Sequence, residues 1–212
     1  MRAELRRPWP AVREGESLSY GGNQNWFSDE NFRRCGCGVI ACADALLYLR
    51  GQSELPREQY IDYVNQLCRF FPLIPRRGID GVRLTVGLNL CLRRGGLPVR
   101  ARWGASGTKF WTRLEEQLAR DLPVIAAVGP PFPRFWSAAS LPLYRRTESG
   151  GYVRSARVRA HFIAVTGLDG TWMQVSSWGE RLYLERGDYE RYMRSQSIPL
   201  FTNLMTLTEK AF

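Results

Sequence analysis

The chain contains one histidine, His161, and five cysteines, Cys35, Cys37, Cys42, Cys68 and Cys91. A thiol and an imidazole within hydrogen-bond reach are the minimum equipment for attack on a carbonyl, because the imidazole can take the thiol proton and return it to the leaving group. Cys37 is the cysteine best placed for this. It stands between Gly36 and Gly38, just ahead of the helix-compatible run from Val39 to Leu49, whose Ile40, Ala43, Leu46 and Leu47 share an apolar face and which Gly51 stops. Opening a buried helix sets unpaired backbone N–H groups and the positive dipole end against the thiol, which favours the thiolate. His161 lies far downstream in the alternating stretch from Arg159 to Val165, so it is expected on a strand. A lone strand histidine is often a core residue; a helix-opening cysteine elsewhere in the chain is what offers this one a chemical partner.

The other cysteines have plainer readings. Cys35 would replace Cys37 only if the helix began two residues earlier. Cys68 falls on the inward face of a helix expected from Pro56 to about Phe70, where Tyr60, Ile61, Val64 and Leu67 recur at helical spacing, and Cys91 on one from Gly81 to Arg94 that ends at Gly95-Gly96. Cys35, Cys37 and Cys42 form C-x-C-x4-C, but structural zinc sites usually pair two such clusters and there is no second one. No metal and no other cofactor is expected.

Downstream the pattern changes. Pro98 to Trp103 alternates like a strand, Thr108 to Arg120 reads as an amphipathic helix, and Pro123 to Val128 is a short apolar strand. Gly129 to Tyr152, with four prolines, reads as a surface excursion. Arg157 to Thr166 alternates again, Asp169-Gly170 signals a hairpin, and Trp172 to Ser177 and Leu182 to Glu185 extend the sheet. Asp188 can cap a short helix to Arg194, and Phe201 to Thr208 looks like a last strand. Helices first and an antiparallel sheet second is an α+β layout.

Composition excludes several classes. With 212 residues, 44% apolar and 12% aromatic, the chain can bury a core and is not a disordered tail, and one domain is the default at this length. The net charge is +10, but all except two of the 30 basic residues are arginines scattered along the chain, a solvated surface more than a nucleic-acid stripe. No apolar run reaches the roughly 18 residues of a membrane span. Three arginines in the first ten residues are followed by Glu14 and Glu16 where a secretory apolar region would lie. An odd number of cysteines, three of them clustered, fits a reduced, cytoplasmic protein.

Three segments carry more: Gly36-Cys37-Gly38-Val39-Ile40-Ala41, His161-Phe162-Ile163-Ala164-Val165-Thr166-Gly167, and Val175-Ser176-Ser177-Trp178-Gly179. On these, the chain from Gln24 to about Tyr192 resembles the papain-like cysteine peptidase superfamily, and more closely its bacterial branch similar to the peptidases that trim double-glycine leaders. Leu114 to Val128, a helix followed by a Leu-Pro-Val-Ile strand, is similar to the element before the histidine strand in that group. The resemblance implies a papain-like α+β fold in which Cys37 matches the nucleophile and His161 the base. The third position, normally Asn or Asp, falls on Ser176, whose hydroxyl can accept the imidazole N–H but brings no charge and a shorter reach. Gln174, on the same strand face, could substitute.

The superfamily also places a glutamine upstream whose amide helps bind the oxyanion. Gln24 is the candidate, with Asn31, at the usual six-residue offset from Cys37, as the alternative. Trp178 is expected to shield the histidine. The activity that the resemblance implies is that of a thiol hydrolase acting on a peptide or isopeptide bond, or of an acyl transferase using the same dyad. The alternative is an inactive module that binds a peptide or partner protein in the groove. Neither nucleic acid nor membrane is an expected partner.

Overall fold

The computed structural model describes residues 2–104 and 109–209. Three short strands come first, β1 (Arg2–Glu4), β2 (Ala11–Glu14) and β3 (Ser17–Leu18), then a 3-10 turn at Gln24–Trp26. Next are α1 (Glu30–Cys35), α2 (Cys37–Leu49), β4 (Glu54–Pro56), α3 (Arg57–Cys68) and α4 (Gly81–Arg94). The second half runs β5 (Val99–Trp103), α5 (Phe110–Ala119), β6 (Val124–Val128), β7 (Leu141–Arg146), β8 (Tyr152–Val158), β9 (His161–Asp169), β10 (Trp172–Ser177), β11 (Glu180–Glu185), α6 (Arg186–Ser195) and β12 (Leu204–Glu209). The class is α+β.

The large sheet is antiparallel throughout, in the order β5-β12-β6-β9-β10-β11-β7-β8, with β1 also paired to β9; β3, β2 and β4 form a separate small sheet. β9 is its central strand: Val128 to Val124 pair with His161 to Val165 on one side, and β10 lies on the other. Alternation along the strands gives both faces something to bury. Ile125, Met205 and Leu207 join the apolar core of α2, α3 and α4, whereas Val124, Ala126, Val128 and Leu204 join that of α5 and α6. Helices therefore cover both faces.

α2 is apolar at every position from 38 to 48 except Asp44, and these residues are all buried. A helix that is apolar on every side sits in the middle of the core. That central placement fixes its first residue, Cys37, against the end of β9. Asp29 caps α1 by accepting from the Phe32 N–H at 2.6 Å, and the chain turns directly from α1 into α2 at Gly36.

Several elements differ from the sequence pattern. β7 lies inside the stretch expected to be an excursion: Leu141 and Leu143 flank Pro142 and are buried in the α6-side core, so burial overrides the proline signal. α1, the 3-10 turn and β1 to β4 are too short to register as periodic patterns. Pro56 is the residue before α3 and not in its first turn. Thr108, where the sequence starts the fifth helix, lies outside the described residues; the helix itself is Phe110–Ala119.

Candidate active site

Cys37 opens α2 and His161 opens β9, and both line one small cavity together with Gln24, Asp44, Phe162, Ser176, Ser177 and Trp178. The helix start packs tightly against the strand. A Cβ added at Gly38 would lie 3.1 Å from the Phe162 ring and from Leu84, so glycine after Cys37 permits the close approach. The backbone N–H groups of Phe162, the residue after His161, and of Gly38 lie near the thiol and favour its charged form. α2 has no side-chain cap at its start, which leaves its first-turn N–H groups without a side-chain acceptor.

The imidazole is held from two directions. Its Nε2 lies 2.7 Å from the Ser177 hydroxyl, and its ring stacks on Trp178 with centroids 4.6 Å apart at 26°. Nδ1 makes no hydrogen bond among the described residues. Ser176 is placed differently from the sequence expectation: its hydroxyl donates to the Tyr20 carbonyl at 2.8 Å. Gln174 points the same way, bonding Tyr20, Thr166 and Glu4. The physical reason is alternation. Val175 pairs with Val165 across β9 and β10, and His161 lies an even number of residues from Val165 as Ser177 does from Val175, so Ser177 shares the histidine's face.

Trp178 and Gly179 form the two-residue loop between the paired Ser177 and Glu180, and both have positive φ, 54° and 76°. A turn with both central residues left-handed matches the twist of a hairpin and favours Asn or Gly at its first position. A tryptophan there costs on the order of 1–3 kcal/mol. That backbone delivers the indole onto the imidazole, and the sequence pattern carries no sign of the strain.

Of the two oxyanion candidates, the structure brings Gln24 to the cavity and not Asn31. One N–H of the Gln24 amide donates to the Arg33 carbonyl at 2.6 Å, which orients the group and leaves its second N–H. Asn31 accepts from the Arg76 N–H at 3.0 Å and lines a separate pocket beside Phe27 and Phe71. Cys35 ends α1, and Cys42 is fully buried inside α2, so the three clustered cysteines point to different surroundings. Cys91 is core, as its helical position implies, whereas Cys68 is partly exposed.

No family model, no curated protein and no solved structure matches this chain.

The electrostatics oppose a preformed ion pair. Burial pushes the Cys37 thiol up to about 11, outweighing the backbone donors that lower it, and burial pulls His161 down to about 4. Both groups are neutral at pH 7, so the lowered thiol expected from the helix start is not realised. The cavity they line offers about 10 Å³, room for a single water. Cys37 nevertheless keeps part of its surface exposed. A wider groove of about 440 Å³ adjoins His161 and Phe162 and is lined by Trp103, Val128 and Phe201. Asp44, two helical turns after Cys37, was not singled out by the sequence. It is 1% exposed, accepts from the Gly22 N–H and from the Tyr60 hydroxyl, and burial raises it to about 7.

Proposed function

We propose that this chain is a papain-like cysteine hydrolase acting on a peptide or isopeptide bond, with acyl transfer to another nucleophile as the same chemistry with a different acceptor. The observation that carries the reading is the shared cavity, lined both by a helix-opening thiol and by a strand-opening imidazole whose Nε2 is held by Ser177. In the tautomer this chemistry requires, Nε2–H donates to Ser177 and Nδ1 is the base. Cys37 Sγ forms a bond to the carbonyl carbon as its proton passes to Nδ1. The oxyanion accepts from the Cys37 backbone N–H and the free N–H of Gln24. The amine leaves with the proton from His161, and water, activated by the same imidazole, releases the acid from the thioester. Starting from a neutral pair, proton transfer accompanies attack.

A second reading, an inactive papain-like module that binds a peptide or partner in the groove, is favoured by the neutral pair and by a hydroxyl where the family has Asn or Asp. Peptidyl acyloxymethyl ketones of varied side chain separate the two. The enzyme reading expects covalent capture at Cys37, abolished by Cys37→Ala and slowed by about 10²–10⁴-fold in His161→Ala, the range of a general base. Reversible binding without capture by any of the series establishes the module.

A further inference from the structure

Away from Cys37, the most uneven distribution of charge lies in a cleft of about 350 Å³ between the edge strand β8 and helix α6. Arg154 and Arg157 enter it from β8 and Arg191 from α6, and Asp188 is the one carboxylate among its lining residues. The convergence depends on a backbone irregularity. On a regular strand residues three apart point to opposite faces, so Arg154 and Arg157 would diverge. The β7–β8 ladder pairs Leu143 with Ala156 and Tyr144 with Arg154, which leaves Ser155 as an extra residue, and this bulge puts both arginines on one face of β8, from which both line the cleft.

The carboxylate is already engaged. Asp188 accepts from Arg191 at 2.7 Å and from the Tyr144 hydroxyl at 2.8 Å. Arg154 also reaches that hydroxyl, while Arg157 makes no ion pair or side-chain hydrogen bond among the described residues. Three positive charges against one negative leave the cleft positive in a concave setting that concentrates the field. Charge and a bulge on an edge strand also discourage pairing with other chains, but that purpose does not require a third arginine, Arg191 of α6, to line the same cleft.

We propose that this cleft binds a small ligand through a phosphoryl group. A carboxylate has two oxygens in one plane, a geometry that a single guanidinium fork matches. A phosphoryl group presents three strong acceptor oxygens and close to two charges, which suits forks arriving from a strand and a helix in different directions. The volume exceeds that of a bare ion and lies at the small end of ligand sites, roughly 300–1,000 Å³. Ala139, Leu141 and Tyr192 supply apolar wall for an organic body.

The test is calorimetric titration of the whole chain with inorganic phosphate, pyrophosphate and succinate at fixed ionic strength. One saturable site is expected, tightest for pyrophosphate and at least tenfold weaker for succinate. Arg157→Gln should weaken pyrophosphate at least tenfold. It breaks no bond within the fold, so the variant keeps its melting temperature, and adding Arg154→Gln should abolish binding. Arg93→Gln with Arg100→Gln, which removes as much charge from exposed positions elsewhere, should leave it within about twofold. Succinate binding as tight as pyrophosphate, equal losses in both double variants, or no saturation with pyrophosphate overturns the proposal.

Discussion

The Ser177 hydroxyl sits 2.7 Å from His161 Nε2, while Ser176, its neighbour, bonds the Tyr20 carbonyl on the other side of β10. Two adjacent serines therefore have separable roles. Ser177→Ala is expected to slow capture of Cys37 by an acyloxymethyl ketone by about three- to tenfold, the worth of one neutral hydrogen bond of roughly 0.5–1.5 kcal/mol. Ser176→Ala should instead lower stability by a similar energy and leave the capture rate per folded molecule unchanged. Rates measured beside urea midpoints decide it; the reverse pattern would return the orienting role to Ser176.

How much of this was legible in the sequence differs from residue to residue. Cys37 and His161 were, because a helix start after a glycine and a single histidine within an alternating stretch are local signals. The Ser176 position was not, because which serine faces the imidazole depends on the β9–β10 register, and a one-residue difference moves every side chain to the other face. Nor was the state of the thiol legible. The helix start is visible in sequence, but its effect is outweighed by desolvation, which depends on how the folded chain buries the thiol. Asp44 stayed hidden since a lone acid on an apolar helix carries no sign of Gly22 and Tyr60 converging on it.

Iodoacetamide reports the thiolate fraction directly. With the Cys37 thiol pushed up to about 11, its alkylation is expected to rise about tenfold per pH unit from pH 7 until that region. Burial of the thiol also means it is not hyper-reactive at pH 6. Mapping of the modified cysteine across pH checks this. A plateau in Cys37 labelling below pH 8 would show a thiolate stabilised by His161 and sink the neutral-pair picture.

Trp178 combines a strained backbone with a stack on the imidazole, so removing it has two opposed effects. Trp178→Asn should relieve part of the turn strain, since Asn tolerates the left-handed region, while uncovering the ring to water. The His161 titration should then move up from about 4 towards the ordinary 6.5. As the chain's only histidine, it gives a single unambiguous ring signal by NMR. An unmoved midpoint would mean that the core, and not Trp178, keeps the imidazole dry.

Asp44 and His161 pull stability in opposite directions with pH, and a difference measurement isolates the first. Asp44 is raised in the folded chain from 3.8 to about 7 by burial. The folded state therefore holds a proton that the unfolded chain gives up, and the Asp44 contribution is fully present below about pH 4 and lost as pH rises through 7. His161, depressed to about 4, adds a loss on acidification between 6.5 and 4, but wild type and Asp44→Asn share it and it cancels. The variant has an amide at this position, still able to accept from the Gly22 N–H and the Tyr60 hydroxyl through Oδ1, and it does not titrate. Its stability relative to wild type should climb between pH 4 and 7 by up to a few kcal/mol, at about 1.4 kcal/mol per pKa unit. Urea midpoints of both proteins across that range supply the curve. Parallel profiles would show that Asp44 titrates as an ordinary carboxylate and that water reaches it behind the Gly22 loop.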